Sequence, residues 1–193
     1  IHVGKDKRHS MKIMMTGNPD YGLAEKFAVV CPQTDFVSRT NSYDLCSKEG
    51  RNIIAQSSLS YDVFINSSAL YQFNQTLVLE TVWKKWKENN KQGHIINIGS
   101  TVDRSTKGAE WIYPQEKKAL KSLSHQYAMM GIWGGSGIKV SYIAFGSLQT
   151  KKVHEKHPDR KLMNVTQAAE YIKWIMDAPT NININELHMD PIQ

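Results

Sequence analysis

The chain has little of what membrane-spanning or secreted proteins need. No apolar run approaches the roughly 20 residues that cross a bilayer, and no apolar signal-peptide core is visible. The two cysteines, Cys31 and Cys46, are too few for a disulfide framework, so reduced thiols in the cytoplasm are expected. No internal repeat, low-complexity tract or long linker divides the 193 residues. We therefore expect one cytoplasmic globular domain with no membrane partner.

The basic residues are unevenly placed. Residues 1–10 are polar and basic, whereas an apolar run follows directly after Met11. We interpret residues 1–10 as a tag remnant or an N-terminal extension, and residues 11–193 as the domain. The formal net charge of +6 would suit a nucleic-acid partner, but part of it lies in that extension. The densest basic stretch, residues 83–87, has the spacing of a helix end whose lysines face water, so nucleic-acid binding is not expected.

Short apolar runs alternate with longer stretches of helical spacing. Strands are predicted at residues 12–16, 35–38, 52–55, 62–66, 94–99, 138–144 and 182–189. Helices are predicted at residues 21–30, 70–89, 113–130 and 165–176. This alternation predicts an α/β fold, a doubly wound Rossmann-type, mostly parallel sheet with helices on both faces, in a single domain. In such sheets ligands bind at the carboxyl ends of the strands.

The ends of the first two predicted strands suggest a dinucleotide site. The first strand runs into a turn that contains Gly17 and Gly22 and precedes a helix. Such a turn brings backbone N–H groups and a helix N-terminus close to a pyrophosphate. The second strand ends at Ser38 and Arg39, and a basic residue there suits the 2′-phosphate of NADP(H). The sequence thus favours NADP(H) over NAD(H); an ordinary turn and a solvated arginine are the alternatives.

Three further side chains suit hydride transfer to a carbonyl group. Tyr113 and Lys117 lie four positions apart at the start of a predicted helix, which puts them on one face. Tyrosine has a pKa of about 10, and a nearby ammonium group lowers it toward the working range of an acid–base catalyst. Ser100, at the end of a predicted strand, could donate a hydrogen bond to a substrate carbonyl oxygen. A Tyr-x-x-x-Lys pair alone arises readily by chance, so the placement of all three residues carries the prediction.

The order and spacing of these motifs resemble the short-chain dehydrogenase/reductase family over residues 12–189. The family's TGxxxGxG turn reads TGNPDYGLA, its NNAG reads NSSA, its N-x-S-S reads NIGS and its PG-x-x-x-T reads FGSLQT. The Tyr-x-x-x-Lys motif follows Ser100 by 13 residues, the usual separation in the family. The sequence is therefore identified as a short, divergent member.

The resemblance implies roles for individual residues. Tyr113 would be the general acid in reduction and the base in oxidation, Lys117 would lower its pKa and hold the nicotinamide ribose, and Ser100 would orient the carbonyl. Asn74 would help maintain a proton-relay water. No metal is implied. The implied cofactor-binding residues are Thr16, Gly17, Gly22, Leu23, Ser38, Arg39, Asn66, Ser67, Ser68, Tyr113, Lys117, Gly146 and Thr150.

The function expected from these residues is that of an NADP(H)-dependent oxidoreductase acting on a small carbonyl or alcohol substrate. The family also implies a homodimer or homotetramer, formed through the outward faces of helices 70–89 and 113–130. The alternative is a non-catalytic NADP(H)-binding sensor or scaffold. The altered NNAG motif and the short substrate lid at residues 151–164 would suit that alternative.

Overall fold

The computed structural model describes residues 10–106, 108 and 110–192; residues 1–9 of the predicted extension lie outside this part. Six strands form one sheet in the order β2-β1-β3-β4-β5-β6, and every neighbouring pair is parallel. This topology confirms the predicted α/β class. The strands are β1 (Ile13–Thr16), β2 (Thr34–Val37), β3 (Val63–Asn66), β4 (Gly93–Ser100), β5 (Ile138–Phe145) and β6 (Glu186–Met189).

Helices cover both faces of this sheet. On one face Ile54, Trp86 and Leu120 belong to a single apolar core, and on the other Phe27 and Ile172 belong to a second core. Within the described part of the chain, no helix is long and apolar enough to cross a membrane. The helices are α1 (Gly22–Val30), α2 (Lys48–Ser58), α3 (Asn74–Glu88), α4 (Tyr113–Ile132), α5 (Lys151–Lys156) and α6 (Val165–Met176).

One predicted strand is wrong. Residues 52–55 lie inside α2, whose first turn is capped by Ser47 through a 2.9 Å hydrogen bond from Gly50 N. Ile54 and Ala55 are buried whereas Ile53 is 55% exposed, which is helical spacing. Four residues are too few to distinguish this pattern from a buried strand. In the observed strand order, β2 forms one edge of the sheet.

The adjacent strands β4 and β5 are the longest of the sheet and extend beyond β3 at their carboxyl ends. β4 and β5 pair over their whole length, from Gly93 opposite Ile138 to Ser100 opposite Phe145. β3 ends opposite Asn97, so the end of β4 continues past it. Because the strands are parallel, their carboxyl ends meet at one edge of the sheet, where ligands bind in such folds.

The two cysteines are free thiols. Cys31 is buried at the end of α1, and Cys46 is exposed before α2. Burial raises the pKa of the Cys31 thiol, so it stays protonated and packs as a small apolar side chain. Neither thiol contributes to the site described below.

Candidate active site

Three of the predicted catalytic side chains lie together at the carboxyl end of β4. Ser100 is the last residue of that strand, Tyr113 begins α4, and Lys117 follows one turn later. Lys117 Nζ is 5.3 Å from the centroid of the Tyr113 ring. The Ser100 side chain is close enough to Tyr113 to affect its ionisation. The fold thus assembles the trio from segments that are separate in sequence.

Burial is the largest influence on the pKa of Tyr113 and on that of Lys117. It raises the pKa of Tyr113, and the interaction with the Ser100 side chain only partly opposes the rise. The sequence predicts the opposite direction, a pKa lowered by Lys117. In the structure the ammonium lies over the ring, and burial prevails. Tyr113 therefore carries its proton at neutral pH, the form needed to donate it.

Lys117 is an ammonium group almost without solvent contact, with 4% of its surface exposed. Burial lowers its pKa to about 8, while the negative charges of Glu116 and Asp103 act in the opposite direction. The charged form consequently remains the main form at neutral pH. A buried charge of this kind needs hydrogen-bond acceptors around it.

The main acceptor is Gln75, which the sequence analysis did not single out. Lys117 Nζ donates to Gln75 Oε1 at 2.7 Å and lies 3.4 Å from the carbonyl oxygen of Ile98. Gln75 Nε2 donates to the carbonyl oxygens of Asn66 and Ile98, each at 2.9 Å. Because both Nε2 hydrogens are used in this way, Oε1 is held toward the ammonium. Gln75 thus connects the ends of β3 and β4 to Lys117.

Asn74, the fourth predicted catalytic residue, makes different contacts. Its Oδ1 accepts a hydrogen bond from Arg51 at 2.9 Å, and its Nδ2 donates to the carbonyl oxygen of Tyr71 at 2.8 Å. Asn74 is the first residue of α3, and the preceding Phe73 has a φ of 59°. The Asn74 side chain therefore fixes the start of the helix, and the next residue reaches Lys117. The sequence places Asn74 inside a helix predicted at residues 70–89, whereas in the structure that helix begins at Asn74.

The glycine turn forms a backbone cradle at the start of α1. Gly17 and Gly22 have φ values of 148° and 66°, which favour glycine. The N-cap residue Tyr21 makes no side-chain hydrogen bond to α1, so the first N–H groups of this helix are available to an anion. A Cβ placed on Gly22 would lie 3.8 Å from Thr150 Cγ2, so the turn faces the segment after β5. These features fit the pyrophosphate of a dinucleotide.

Two of the predicted cofactor residues lie inside the framework instead. Thr16 is fully buried, and its Oγ1 accepts hydrogen bonds from the backbone N–H of Ser67 at 2.8 Å and of Ser68 at 3.0 Å. Asn66 is also fully buried, and its Nδ2 donates to the Gln75 carbonyl oxygen at 2.9 Å. These side chains hold the ends of β1, β3 and α3 together. The partly exposed Ser67 and Ser68 lie nearer the surface.

The end of β2 lies beside the glycine turn. Gly17 N donates to the Val37 carbonyl oxygen at 3.0 Å, which places the following Ser38 and Arg39 next to the turn. The Ser38 and Thr40 hydroxyls are 2.6 Å apart at the start of a 3-10 turn, and Arg39 is exposed. An exposed guanidinium here can meet a phosphate on the adenosine side.

Leu23 and Gly146 have packing contacts. Leu23 is partly buried against the core shared by α1 and α6. Gly146 N donates to the Met189 carbonyl oxygen at 2.7 Å. A Cβ at Gly146 would come within 2.8 Å of Pro191 Cδ. Gly146 therefore lets the segment after β6 pack closely against the end of β5.

An aromatic side chain covers one face of the Tyr113 ring. Trp111 stacks on it with ring centroids 4.8 Å apart and an interplanar angle of 13°. The loop that carries Trp111 is held by Lys118, whose Nζ donates to the Ser105 carbonyl oxygen at 3.0 Å. A small cavity of about 350 Å³ lies against this loop, with Ile112 also in its wall. Tyr113 itself is not among the residues that line this cavity.

Comparison with curated proteins gives a partial match. No protein-family model matches the chain. The chain is 27% identical over 101 residues to uncharacterized oxidoreductases of Staphylococcus aureus strains MW2 and N315. The match covers 52% of this chain and 43% of those proteins. The chain therefore spans less than half the length of the curated relatives it matches.

Comparison with solved structures identifies the fold. A short-chain dehydrogenase/reductase family protein superposes with a TM-score of 0.75 at 16% identity, covering 94% of this chain and 96% of that one. ElxO with bound NADP gives 0.71 at 16% identity, covering 93% and 97%. A 3-ketoacyl-(acyl-carrier-protein) reductase from Brucella melitensis in complex with NADH gives 0.69 at 14%, covering 94% and 97%. The chain thus has the fold of the short-chain dehydrogenases/reductases, as its motifs predict.

Proposed function

We propose that the protein is an NADP(H)-dependent oxidoreductase that transfers hydride between the nicotinamide and a small carbonyl or alcohol substrate. The observation that carries the proposal is the convergence of Ser100, Tyr113 and the buried Lys117 at one strand end. The glycine turn that fits a pyrophosphate lies at the same edge of the sheet. The proteins of similar fold that were solved with NADP and with NADH support a nicotinamide cofactor.

Each catalytic side chain has one task in this proposal. The bound nicotinamide supplies or accepts the hydride. The Ser100 hydroxyl donates a hydrogen bond to the substrate carbonyl oxygen and polarises it. Tyr113 donates its proton to that oxygen during reduction and takes it back during oxidation. Lys117 stabilises the phenolate that Tyr113 leaves behind, since its ammonium is held within reach of the ring.

The proposed cofactor site keeps part of the predicted set of residues. Gly17 and Gly22 bind the pyrophosphate through their backbone, Ser67 and Ser68 lie on the adenosine side, and Thr150 lies near the carboxamide. Thr16 and Asn66 act by holding these segments in place. Arg39 meets the 2′-phosphate and gives the preference for NADP(H) over NAD(H).

Gln75 completes the proposed active site. Its Oε1 accepts a hydrogen bond from the buried ammonium of Lys117 and holds that ammonium in the site. Asn74 contributes through its anchoring of the start of α3, which sets the position of Gln75. The proton-relay water predicted for Asn74 stays a prediction.

Turnover of NADPH with a panel of small aldehydes and ketones tests this function. The parent protein should oxidise NADPH in the presence of at least one of them. Ser100→Ala should lower kcat by about 100-fold, because the polarising hydroxyl is lost. Ser60, which is exposed in the turn after α2, provides the control, and Ser60→Ala should equal the parent. Tight NADPH binding with no turnover on any substrate would instead establish the sensor or scaffold.

The homo-oligomer and the cytoplasmic location belong to the same proposal. The outward surfaces of α3 and α4 would form the subunit contact. Light scattering of the purified protein should give a dimer or a tetramer. A monomer at the concentration of the activity assay would exclude this part of the proposal without affecting the chemistry.

A further inference from the structure

A second buried tyrosine lies beneath Ser100, and the proposed reaction does not use it. Tyr142, in β5, is fully buried, and its hydroxyl donates to Asp103 Oδ2 at 2.8 Å. The same hydroxyl oxygen accepts from Ser100 N at 3.4 Å and lies 3.5 Å from the Lys117 carbonyl oxygen. One hydroxyl thus contacts β4, the 3-10 turn Thr101–Arg104 and α4. Two of these elements carry proposed catalytic side chains.

The space for this tyrosine exists because residue 99 is glycine. A Cβ at Gly99 would lie 2.1 Å from both the Cζ and the hydroxyl oxygen of Tyr142. Any side chain at position 99 would therefore displace the Tyr142 ring. The motif NIGS has glycine where the N-x-S-S pattern has its first serine. Gly99 and Tyr142 form a matched pair of a small and a large residue under the active site.

Asp103 is the charged member of this arrangement. It is 6% exposed, and within the described residues its Oδ1 has no hydrogen-bond partner, so Tyr142 is its principal donor. Burial, followed by the interaction with Asp103, raises the pKa of Tyr142 well above its ordinary range. Tyr142 is therefore a permanent donor and takes no part in acid–base exchange. Its hydrogen bond keeps the 3-10 turn against β5.

We propose that Tyr142 and Asp103 are positioning residues that hold the main chain of Ser100 and Lys117 in register. The proposal rests on the proposed function, because it concerns the same active site. The Tyr142 hydroxyl contacts the backbones of both Ser100 and Lys117. The buried Asp103 carboxylate accepts a hydrogen bond from that hydroxyl and so fixes its orientation.

The charged and polar groups around Lys117 come from four elements. Glu116 and Tyr113 face it from its own helix, Gln75 from α3, the Ile98 carbonyl from β4, and Asp103 from the 3-10 turn. Glu116 and Asp103 are the negative charges that raise the pKa of Lys117. Removal of the Asp103 charge should therefore weaken the charged form, while Glu116 remains as partial support.

Tyr142→Phe tests the positioning role. We expect kcat to fall about tenfold, because a small displacement of Ser100 misaligns the carbonyl. KM and the dissociation constant of NADPH should change by less than about twofold, since Tyr142 is fully buried and offers no surface to a ligand. Tyr61→Phe is the matched control: its hydroxyl donates to Asp35 at 2.9 Å, away from the site. That variant should keep the kcat of the parent.

Asp103→Asn separates charge from packing, because asparagine keeps a similar shape and an oxygen acceptor for Tyr142. The alkaline limb of the kcat profile should move to lower pH, since Lys117 loses its charge more easily. A purely structural role would lower the melting temperature and leave this limb in place. A limb that moves would show that the Asp103 carboxylate also acts on Lys117, and an unchanged limb confines Asp103 to positioning. If Tyr142→Phe does not fold, the exchange rate of the Ser100 amide in Asp103→Asn decides the proposal.

Amide hydrogen exchange provides a readout that does not depend on turnover. Ser100 N–H is donated to the Tyr142 hydroxyl, so its exchange should become about tenfold faster in Tyr142→Phe. The amide of Ile98 in the same strand is the internal reference. If the parent shows no turnover, the proposed function fails, and this exchange still decides the inference. Unchanged exchange at Ser100 together with an unchanged kcat would overturn it.

Discussion

Lys117 donates a hydrogen bond of 2.7 Å from its buried ammonium to the side-chain oxygen of Gln75. The two residues are 42 positions apart and lie on different helices, α4 and α3. This contact explains how a charge can remain at a position that is only 4% exposed. Because burial lowers the pKa of Lys117 to about 8, the charge depends closely on its few acceptors.

Gln75→Leu should reveal this dependence in the pH profile. Leucine fills similar space but accepts no hydrogen bond, so the pKa of Lys117 should fall further below its ordinary value. The alkaline limb of kcat should move to lower pH, with turnover at pH 8 reduced about fivefold. Urea unfolding should also show a stability loss of about 1–3 kcal/mol from the unsatisfied groups.

Gln56, exposed on α2, provides the control for that experiment. Gln56→Leu should leave both the pH profile and the urea midpoint as they are in the parent. If Gln75→Leu has the pH profile of the parent, the assignment of Gln75 as the support of Lys117 is wrong. If Gln75→Leu lowers the urea midpoint and leaves the pH profile of kcat unchanged, Gln75 contributes to packing only.

Arg39 should determine the choice of cofactor. In Arg39→Ala the dissociation constant of NADPH should rise about tenfold, because a charge-assisted hydrogen bond to the 2′-phosphate is lost. The dissociation constant of NADH should stay the same, since NADH lacks that phosphate. Fluorescence titration of both cofactors against both proteins measures the two effects. An equal rise in the dissociation constants of NADPH and NADH would show that Arg39 does not contact the 2′-phosphate.

His94 should make the fold sensitive to acid. Its side chain is buried, with Nε2 2.8 Å from Ser141 Oγ, and burial lowers its pKa to about 3. In the unfolded chain a histidine titrates near pH 6.5. Above about pH 6.5 His94 is neutral in both the folded and the unfolded chain, and the free energy of unfolding is at its full value. As the pH falls from 6.5 toward 3, the unfolded chain binds a proton that the folded chain does not, so the free energy of unfolding decreases.

A single substitution measures how much His94 contributes to the pH dependence of the unfolding free energy. Between pH 6 and 4 the parent should lose about 1.4 kcal/mol per pH unit through this one proton. His94→Gln removes the titrating group and should flatten the dependence of the unfolding free energy on pH by that amount. Parallel curves for the two proteins would show that His94 is not the residue responsible.

Much of the site follows from local patterns in the sequence. The apolar run at residues 94–99 predicts a strand that ends near Ser100, which is the last residue of β4. The helical spacing of residues 113–130 predicts a helix that starts at Tyr113, the first residue of α4. The four-residue spacing from Tyr113 to Lys117 then follows from the helix period. Residues 52–55 were wrongly predicted as a strand because so short an apolar run has no clear period.

The remaining contacts depend on tertiary packing. Gln75 was missed because only the approach of α3 to α4 brings it to Lys117, and no spacing in the sequence encodes that approach. Tyr142 reads as an ordinary strand residue until the structure places its hydroxyl beside Asp103, 39 positions away. The raised pKa of Tyr113 also depends on burial, which the sequence does not specify.

The central claim is that the Tyr113 hydroxyl transfers the proton in a nicotinamide-dependent reaction. Tyr113→Phe keeps the ring that stacks on Trp111 and lies below Lys117 Nζ, and removes only the hydroxyl. The decisive measurement is the kcat of NADPH oxidation with the best carbonyl substrate, together with the dissociation constant of NADPH. We expect kcat to fall at least about 100-fold while NADPH binding changes less than about twofold. A variant with the kcat of the parent would contradict the account.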